Sequence, residues 1–301
     1  MCEEVKEEKK IRKLNELSLI DNYLFGLFIE NVNDNDIIKE MLERMLDIKI
    51  KKIVLKQQQY EIFNEPGSRS VRLDAYLGDD ENTLYNIEVQ IKNTGNIPKR
   101  IRYNRSLIDK DQLASGEKDF NELPKSIIIF INNFDLFNKG LYRYTFKNIC
   151  VEDNSIELGD DSLTVILNTK GKKKEGVSQK LVDLLEYFTS SNEKTVTKTS
   201  DEFLKNVDER LTPIKNNRKF GDDFVQFQIY LNEEKRESKE EGRQEGRQEG
   251  IQEGIEIGKE EGIEIGRQET QKKSEEKMAR MIEQMRKMGL PEDQIGSIVQ
   301  A

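Results

Sequence analysis

Polar and apolar positions alternate most regularly in two neighbouring segments. From 71 to 77, Val71, Leu73, Ala75 and Leu77 fall on one side and Arg72, Asp74 and Tyr76 on the other. From 85 to 91, Tyr85, Ile87, Val89 and Ile91 oppose Asn86, Glu88 and Gln90. A period of two predicts a pair of half-buried strands with Asp74, Glu88 and Gln90 turned away from the core. Gly78 to Thr83 has the composition of a turn. If Asp74 lies opposite Glu88, the register requires a loop from Asp79 to Thr83 between Gly78 and Leu84. The two Cβ atoms are then about 5 Å apart.

The other elements follow from their own patterns. The first seventeen residues are charged and predict a loose or helical arm, and 17–29 is apolar and aromatic. Asp34, Asn35 and Asp36 precede Ile37, Ile38, Met41, Leu42, Met45 and Leu46, the spacing of an amphipathic helix of about three turns. Residues 50–63 are strand-like with an interruption at Gln57, Gln58 and Gln59, and Glu65, Pro66 and Gly67 predict a turn. Pro98 suits the first turn of a helix carrying Ile101, Leu107, Ile108 and Leu113. Ser126 to Ile131 is a continuous apolar run, as in a strand buried on both faces. Residues 142–151 and 163–167 are further strand candidates, and 181–188, 202–211 and 224–231 predict helices. The order is helix, three strands, helix, strand.

Composition narrows the chemistry. The chain has 301 residues, 36% of them charged, a formal net charge of −9 and no histidine. That excludes Ser-His-Asp and Cys-His catalysis, His-ligated zinc and a histidine general base. Cys2 and Cys150 match neither a disulfide framework nor a zinc spacing. No glycine-rich phosphate loop follows a strand. With no apolar run able to span a bilayer, the expectation is a cytoplasmic protein with no membrane partner. Acid–base or metal chemistry is left to carboxylates, Lys, Tyr and solvent, which points to oxygen ligands and a hard cation, Mg²⁺ or Mn²⁺.

Asp74 and Glu88 on one strand face repel unless a positive charge lies between them, and a divalent cation meets that need. Acidic residues on the open face of a hairpin are common, so the pair alone is a weak signal. The segment that follows strengthens it. From Lys92 to Lys110 there are six basic residues and one acidic residue, in a chain that is acidic overall. A basic helix beside a carboxylate pair suits a phosphodiester substrate, with Arg100, Arg102 and Arg105 as candidates to hold the DNA backbone.

These residues resemble the PD-(D/E)XK nuclease superfamily and, within it, the Rpn family of recombination-promoting nucleases, also described as transposases. The likeness runs over roughly 15–190. It is carried by Asp21 to Phe25 and on to Leu46, by Val71-Arg72-Leu73-Asp74, and by Asn86-Ile87-Glu88-Val89-Gln90. It continues through the basic helix with Gln112-Leu113-Ala114-Ser115-Gly116, and Ile127 to Asn132. The resemblance implies a restriction-endonuclease-like α/β core and a metal-dependent DNA endonuclease associated with recombination or mobile elements. It further implies that Asp74 and Glu88 bind Mg²⁺ and that the Val89 carbonyl completes the metal site. The third catalytic position is Lys in the name-giving pattern and Gln90 here. Glutamine carries no positive charge, so its role is to orient the attacking water or to hydrogen-bond the scissile phosphate.

Beyond the core, glycine recurs every fourth residue from Gly242 to Gly266. Four residues turn a helix by about 400°, so successive glycines drift by ~40° and form no straight stripe. Each glycine weakens a helix by about 1 kcal/mol relative to alanine. A flexible spacer is therefore slightly favoured over a helix ordered by self-association through Ile251, Ile255, Ile257, Ile263 and Ile265. Met278, Met281, Ile282, Met285 and Met288 lie at helical spacing, and a short helix from 292 to 299 closes the chain. The expected organisation is a nuclease-like domain at 15–190, a helical extension at 191–236, the repeat at 237–272 and C-terminal helices at 273–301. The rival functions are a catalytically silent DNA- or partner-binding protein of the same fold, and a scaffold whose working part is the tail.

Overall fold

The computed structural model describes residues 11–62, 71–113 and 119–292. Its chain divides into two units, 1–228 and 229–301. Helices α1 (Asn22–Asn31) and α2 (Asn35–Leu46) precede strands β1 (Ile53–Ile62), β2 (Val71–Asp79) and β3 (Leu84–Gln90). Helix α3 (Ile97–Gln112) leads to β4 (Ser126–Asn132), β5 (Arg143–Phe146) and β6 (Ser162–Asn168). Helices α4 (Gln179–Thr189), α5 (Glu193–Thr199), α6 (Glu202–Lys215) and α7 (Arg218–Lys287) follow.

The six strands form one sheet in the order β1-β2-β3-β4-β6-β5. β1, β2 and β3 are antiparallel neighbours, β3, β4 and β6 are parallel, and β5 runs antiparallel at the edge. One face carries Ala75, Leu77, Tyr85, Ile87, Val89, Ile127, Ile129 and Ile131 against α1, α2, α4 and α6. α3 covers the other face through two groups. Leu107 and Ile108 meet Leu73, Tyr76 and Leu84, and Ile97 and Ile101 meet Ile128, Phe130 and Ile166. Each such aliphatic side chain removed from water contributes roughly 1.5–3 kcal/mol, enough to seat the helix firmly.

This double cover corrects the half-buried reading of β3, because Asn86 and Glu88 are only 1% and 4% exposed on the face expected to be open. Leu73, expected beside Ala75 and Leu77, packs instead with Tyr76 and α3, where β2 leaves β3. β1 runs unbroken through Gln57 to Gln59. Leu14 and Leu17, assigned to a charged arm, belong to the core, and Arg12 pairs with Asp21. The strand expected at 142–151 shortens to Arg143–Phe146, while α5 falls within the helical extension expected at 191–236 without having been singled out there. The turn at Glu65 to Gly67, Ala114 to Gly116 and the helix expected at 292–299 lie wholly or largely outside the described residues.

Capping chemistry fixes the helix ends. The Asp34 side chain accepts the Asp36 N–H at the start of α2, and the Asp201 side chain accepts the Phe203 N–H at the start of α6. Arg44, buried on α2, joins Asp201 and Glu40 while stacking on Phe203, which ties α2 to α6. Among the described residues no helix is long and apolar enough to cross a membrane.

Considered by itself, the glycine repeat is helical throughout, which overturns the flexible-spacer reading. Most residues between the glycines are Glu, Gln, Arg or Lys, among the better helix formers, and they outweigh the glycine penalty. Leu290 and Gly289 donate back to the Met285 and Arg286 carbonyls, with Gly289 at φ +82°, so the helix ends in a glycine cap. A Cβ added at any glycine from Gly242 to Gly266 meets nothing within 4 Å. The triple variant Gly250→Ala/Gly254→Ala/Gly258→Ala is therefore expected to stabilise the tail helix by about 1 kcal/mol per site. Circular dichroism at rising temperature checks this, and an unchanged or earlier loss of helical signal counts against it.

Candidate active site

The site forms where the sheet forks. β2 and β3 pair from Gly78–Leu84 to Ala75–Ile87 and no further, which is the register that sets Asp74 opposite Glu88. Beyond that point β2 stays with β1 as far as Val71, and β3 stays with β4 as far as Gln90. Asp74 and Glu88 are the next residues on either side of the opening. The loop that sets this register is held by Asp79, which accepts the Glu81 and Thr83 N–H groups and, at 2.6 Å, the Tyr85 hydroxyl.

Backbone direction adds a third oxygen. The Gln90 carbonyl accepts the Asn133 N–H at 2.9 Å and so faces β4. Backbone groups of successive strand residues point to opposite edges, so the N–H and carbonyl of Val89 face the fork. Consistently, the Val89 N–H is donated to the Asp74 carboxylate at 3.1 Å. Two carboxylates and a carbonyl thus converge on one opening. Among the described residues no group of three or more Asp, Glu, His or Cys side chains forms a metal cluster, so the carbonyl matters to the donor set.

Glu88 is the electrostatic centre. Burial, and next the neighbouring Asp74 charge, push its carboxyl from the ordinary 4.5 up to about 8. Arg100 and Asn86 act in the opposite direction without prevailing. The Arg100 guanidinium donates to Glu88 Oε2 at 2.9 Å, and Asn86 Nδ2 donates to Glu88 Oε1 at 3.2 Å. That contact is an ion pair by geometry, yet the guanidinium is 31% exposed and partly screened, so desolvation of Glu88 wins. Asn86 Oδ1 is buried and has no hydrogen-bond partner among the described residues.

The basic residues separate by position on α3. Arg100 donates to Gln90 Oε1 at 3.1 Å as well as to Glu88, and its guanidinium lies 4.8 Å from the centre of the Phe130 ring. Gln90 Nε2 donates to the Lys92 carbonyl at 2.9 Å. Arg105 points into the sheet, donating to the Ser126 and Leu163 carbonyls and to the Ser126 and Thr164 hydroxyls. Lys92, Lys99 and Arg102 are exposed. Of the three arginines expected on DNA, Arg102 alone is turned to solvent, Arg100 is in the site, and Arg105 clamps β4 to β6. Helical spacing signals this: Arg105 lies four residues after the buried Ile101 and three before the buried Ile108. Asn86 and Phe130, which hold Glu88 and Arg100, were missed, although alternation had already put Asn86 on the face of Glu88.

Residues 19–241 match the family described as PD-(D/E)XK nuclease family transposase. The chain belongs to this family. No curated protein and no solved structure matches it. The family fold agrees with the mixed sheet and its helices, and the family implies a nuclease or transposase-like activity on DNA. Its nucleases typically use divalent metals. The oxygen-only donor set here suits a hard cation, and the like-charge pair at the fork is the arrangement such a cation relieves.

Two outcomes test this electrostatic picture. Glu88 has a folded-state pKa above its unfolded value, so the folded protein holds a proton that the unfolded chain has lost between about 4.5 and about 8. The associated stability is complete below that window and is lost as the pH rises through about 8. Glu88→Gln is expected to flatten the decline between about pH 4.5 and about pH 8, read from urea unfolding midpoints. Arg105→Ala is expected to destabilise the fold by about 3 kcal/mol, since it strands acceptors on two strands. An unaltered unfolding midpoint would refute the clamp.

Proposed function

We propose that this protein is a Mg²⁺- or Mn²⁺-dependent DNA endonuclease that hydrolyses phosphodiester bonds and is associated with recombination or mobile elements. The reading rests on the convergence of Asp74, Glu88 and the Val89 carbonyl at the fork. These three would hold the cation. When bound there, it lowers the pKa of water and neutralises charge on the phosphate. Asp74 is kept in place by the Val89 N–H, and Glu88 by Asn86 and Arg100, so the oxygens are preorganised before the substrate arrives.

The exposed basic groups Lys92, Lys99 and Arg102 take the flanking phosphates. Their attraction is local in a chain of net charge −9, so binding is expected to weaken steeply with salt. A second reading, a DNA-binding protein of this fold that does not cut, is favoured by one observation, the absence of lysine at position 90. Retention of both carboxylates at the fork weighs against it.

Purified protein and the Asp74→Ala/Glu88→Ala variant, each with supercoiled plasmid and Mg²⁺, Mn²⁺ or chelator, distinguish the two. Metal-dependent nicking by the wild type, with a loss of at least ~10³-fold in the variant, is expected. A folded wild type that binds DNA and cuts with neither metal would establish the silent binder.

A further inference from the structure

The name-giving pattern of these nucleases has a lysine beside its acidic residues, and this chain has the uncharged Gln90 at that position. Phosphodiester cleavage builds negative charge on the non-bridging oxygens, so the loss of that cation needs an explanation. Arg100 gives one. It reaches from the first turns of α3 to donate to both Glu88 Oε2 at 2.9 Å and Gln90 Oε1 at 3.1 Å. Phe130 lies 4.8 Å from the guanidinium, and the side chain is 31% exposed.

Gln90 is oriented for this contact. Its Nε2 is committed to the Lys92 carbonyl at 2.9 Å, which leaves Oε1 as the end facing Arg100. A lysine at 90 would place an ammonium against that guanidinium, whereas a glutamine offers an acceptor. These two bonds use two of the five N–H donors of a rigid planar group, and the group is partly open to solvent. A counter-ion for Glu88 alone would need neither the amide nor the ring.

We propose that Arg100 is the catalytic cation of this nuclease, positioned by Gln90 against the scissile phosphate in place of the lysine of the name-giving pattern. The inference rests on the nuclease reading above. In the step it assists, a water oxygen forms a bond to phosphorus while the bond from phosphorus to the leaving sugar oxygen breaks with its electron pair. The leaving oxygen gains one proton, and the proton released by the water passes to solvent. Arg100 keeps its own protons and donates hydrogen bonds to a non-bridging oxygen as its charge grows. Gln90 is a positioning residue that acts through Arg100.

The test compares full-length wild type with Arg100→Gln, Arg100→Lys, Gln90→Lys and the exchange Gln90→Lys/Arg100→Gln. Plasmid cleavage is read as kcat and KM, Mn²⁺ binding by calorimetry, and folding by thermal melts. Arg100→Gln is expected to lower kcat by about 10²–10³-fold with Mn²⁺ affinity and KM within a few-fold. Gln90→Lys alone loses activity, Arg100→Lys keeps part of it, and the exchange regains at least about tenfold over Arg100→Gln. A folded Arg100→Gln that cuts at the wild-type rate overturns the inference and leaves the nuclease intact. If Arg100→Gln does not fold, the exchange decides: cleavage supports the inference, and a folded, inactive exchange overturns it. A wild type that cuts with neither metal removes the nuclease reading and this inference together.

Discussion

Glu88 is taken out of water beside another carboxylate, and the architecture around the site follows from that constraint. β3 is a central strand with helices on both faces, so little solvent reaches Glu88. A buried carboxylate next to a like charge must find donors or become neutral. Arg100, Asn86 and the Asp74 backbone N–H meet this demand in part, and burial still dominates the titration of Glu88. Incomplete compensation leaves the fork receptive to positive charge, which suits a metal site better than full neutralisation would.

One helix supplies most of what the site needs, and its spacing sorts the tasks. Ile97, Ile101, Leu107 and Ile108 fasten α3 to the sheet. Arg100 and Arg105 flank that apolar stripe and turn inward, while Lys99 and Arg102 face outward. Because α3 is held by its apolar contacts and by the Arg105 clamp, Arg100 meets Glu88 and Gln90 from a rigid base. Rigidity of the carrier matters where charge must be in place before the substrate arrives.

Much of this was legible in the sequence. Alternation in 71–77 and 85–91 pointed to two strands, and a register that sets Asp74 opposite Glu88 was compatible with the loop between them, but spacing alone did not select it. Ser126 to Ile131 announced a central strand by its unbroken apolar character. The cover that α3 places over β3 was not legible, since alternation shows which residues share a face and not what lies above it. Glu88 was consequently expected near solvent. Nor did a list of basic residues distinguish Arg102 from Arg105. That distinction needs the helix phase, which Ile101 and Ile108 supply. The tail shows the opposite limit: summed glycine penalties suggested a spacer, yet the formers between them carry the helix.

The four-residue repeat behaves as a ruler with a built-in twist. Each unit adds about 6 Å of axial length and about 40° of rotation, so gain or loss of one unit re-aims every later side chain. About nine units would have to be exchanged to restore the original azimuth. In coding terms a unit is a block of whole codons, so slippage between repeats preserves the reading frame. Length polymorphism in such a tail would change the reach and facing of its C-terminal end without touching the residues at the fork.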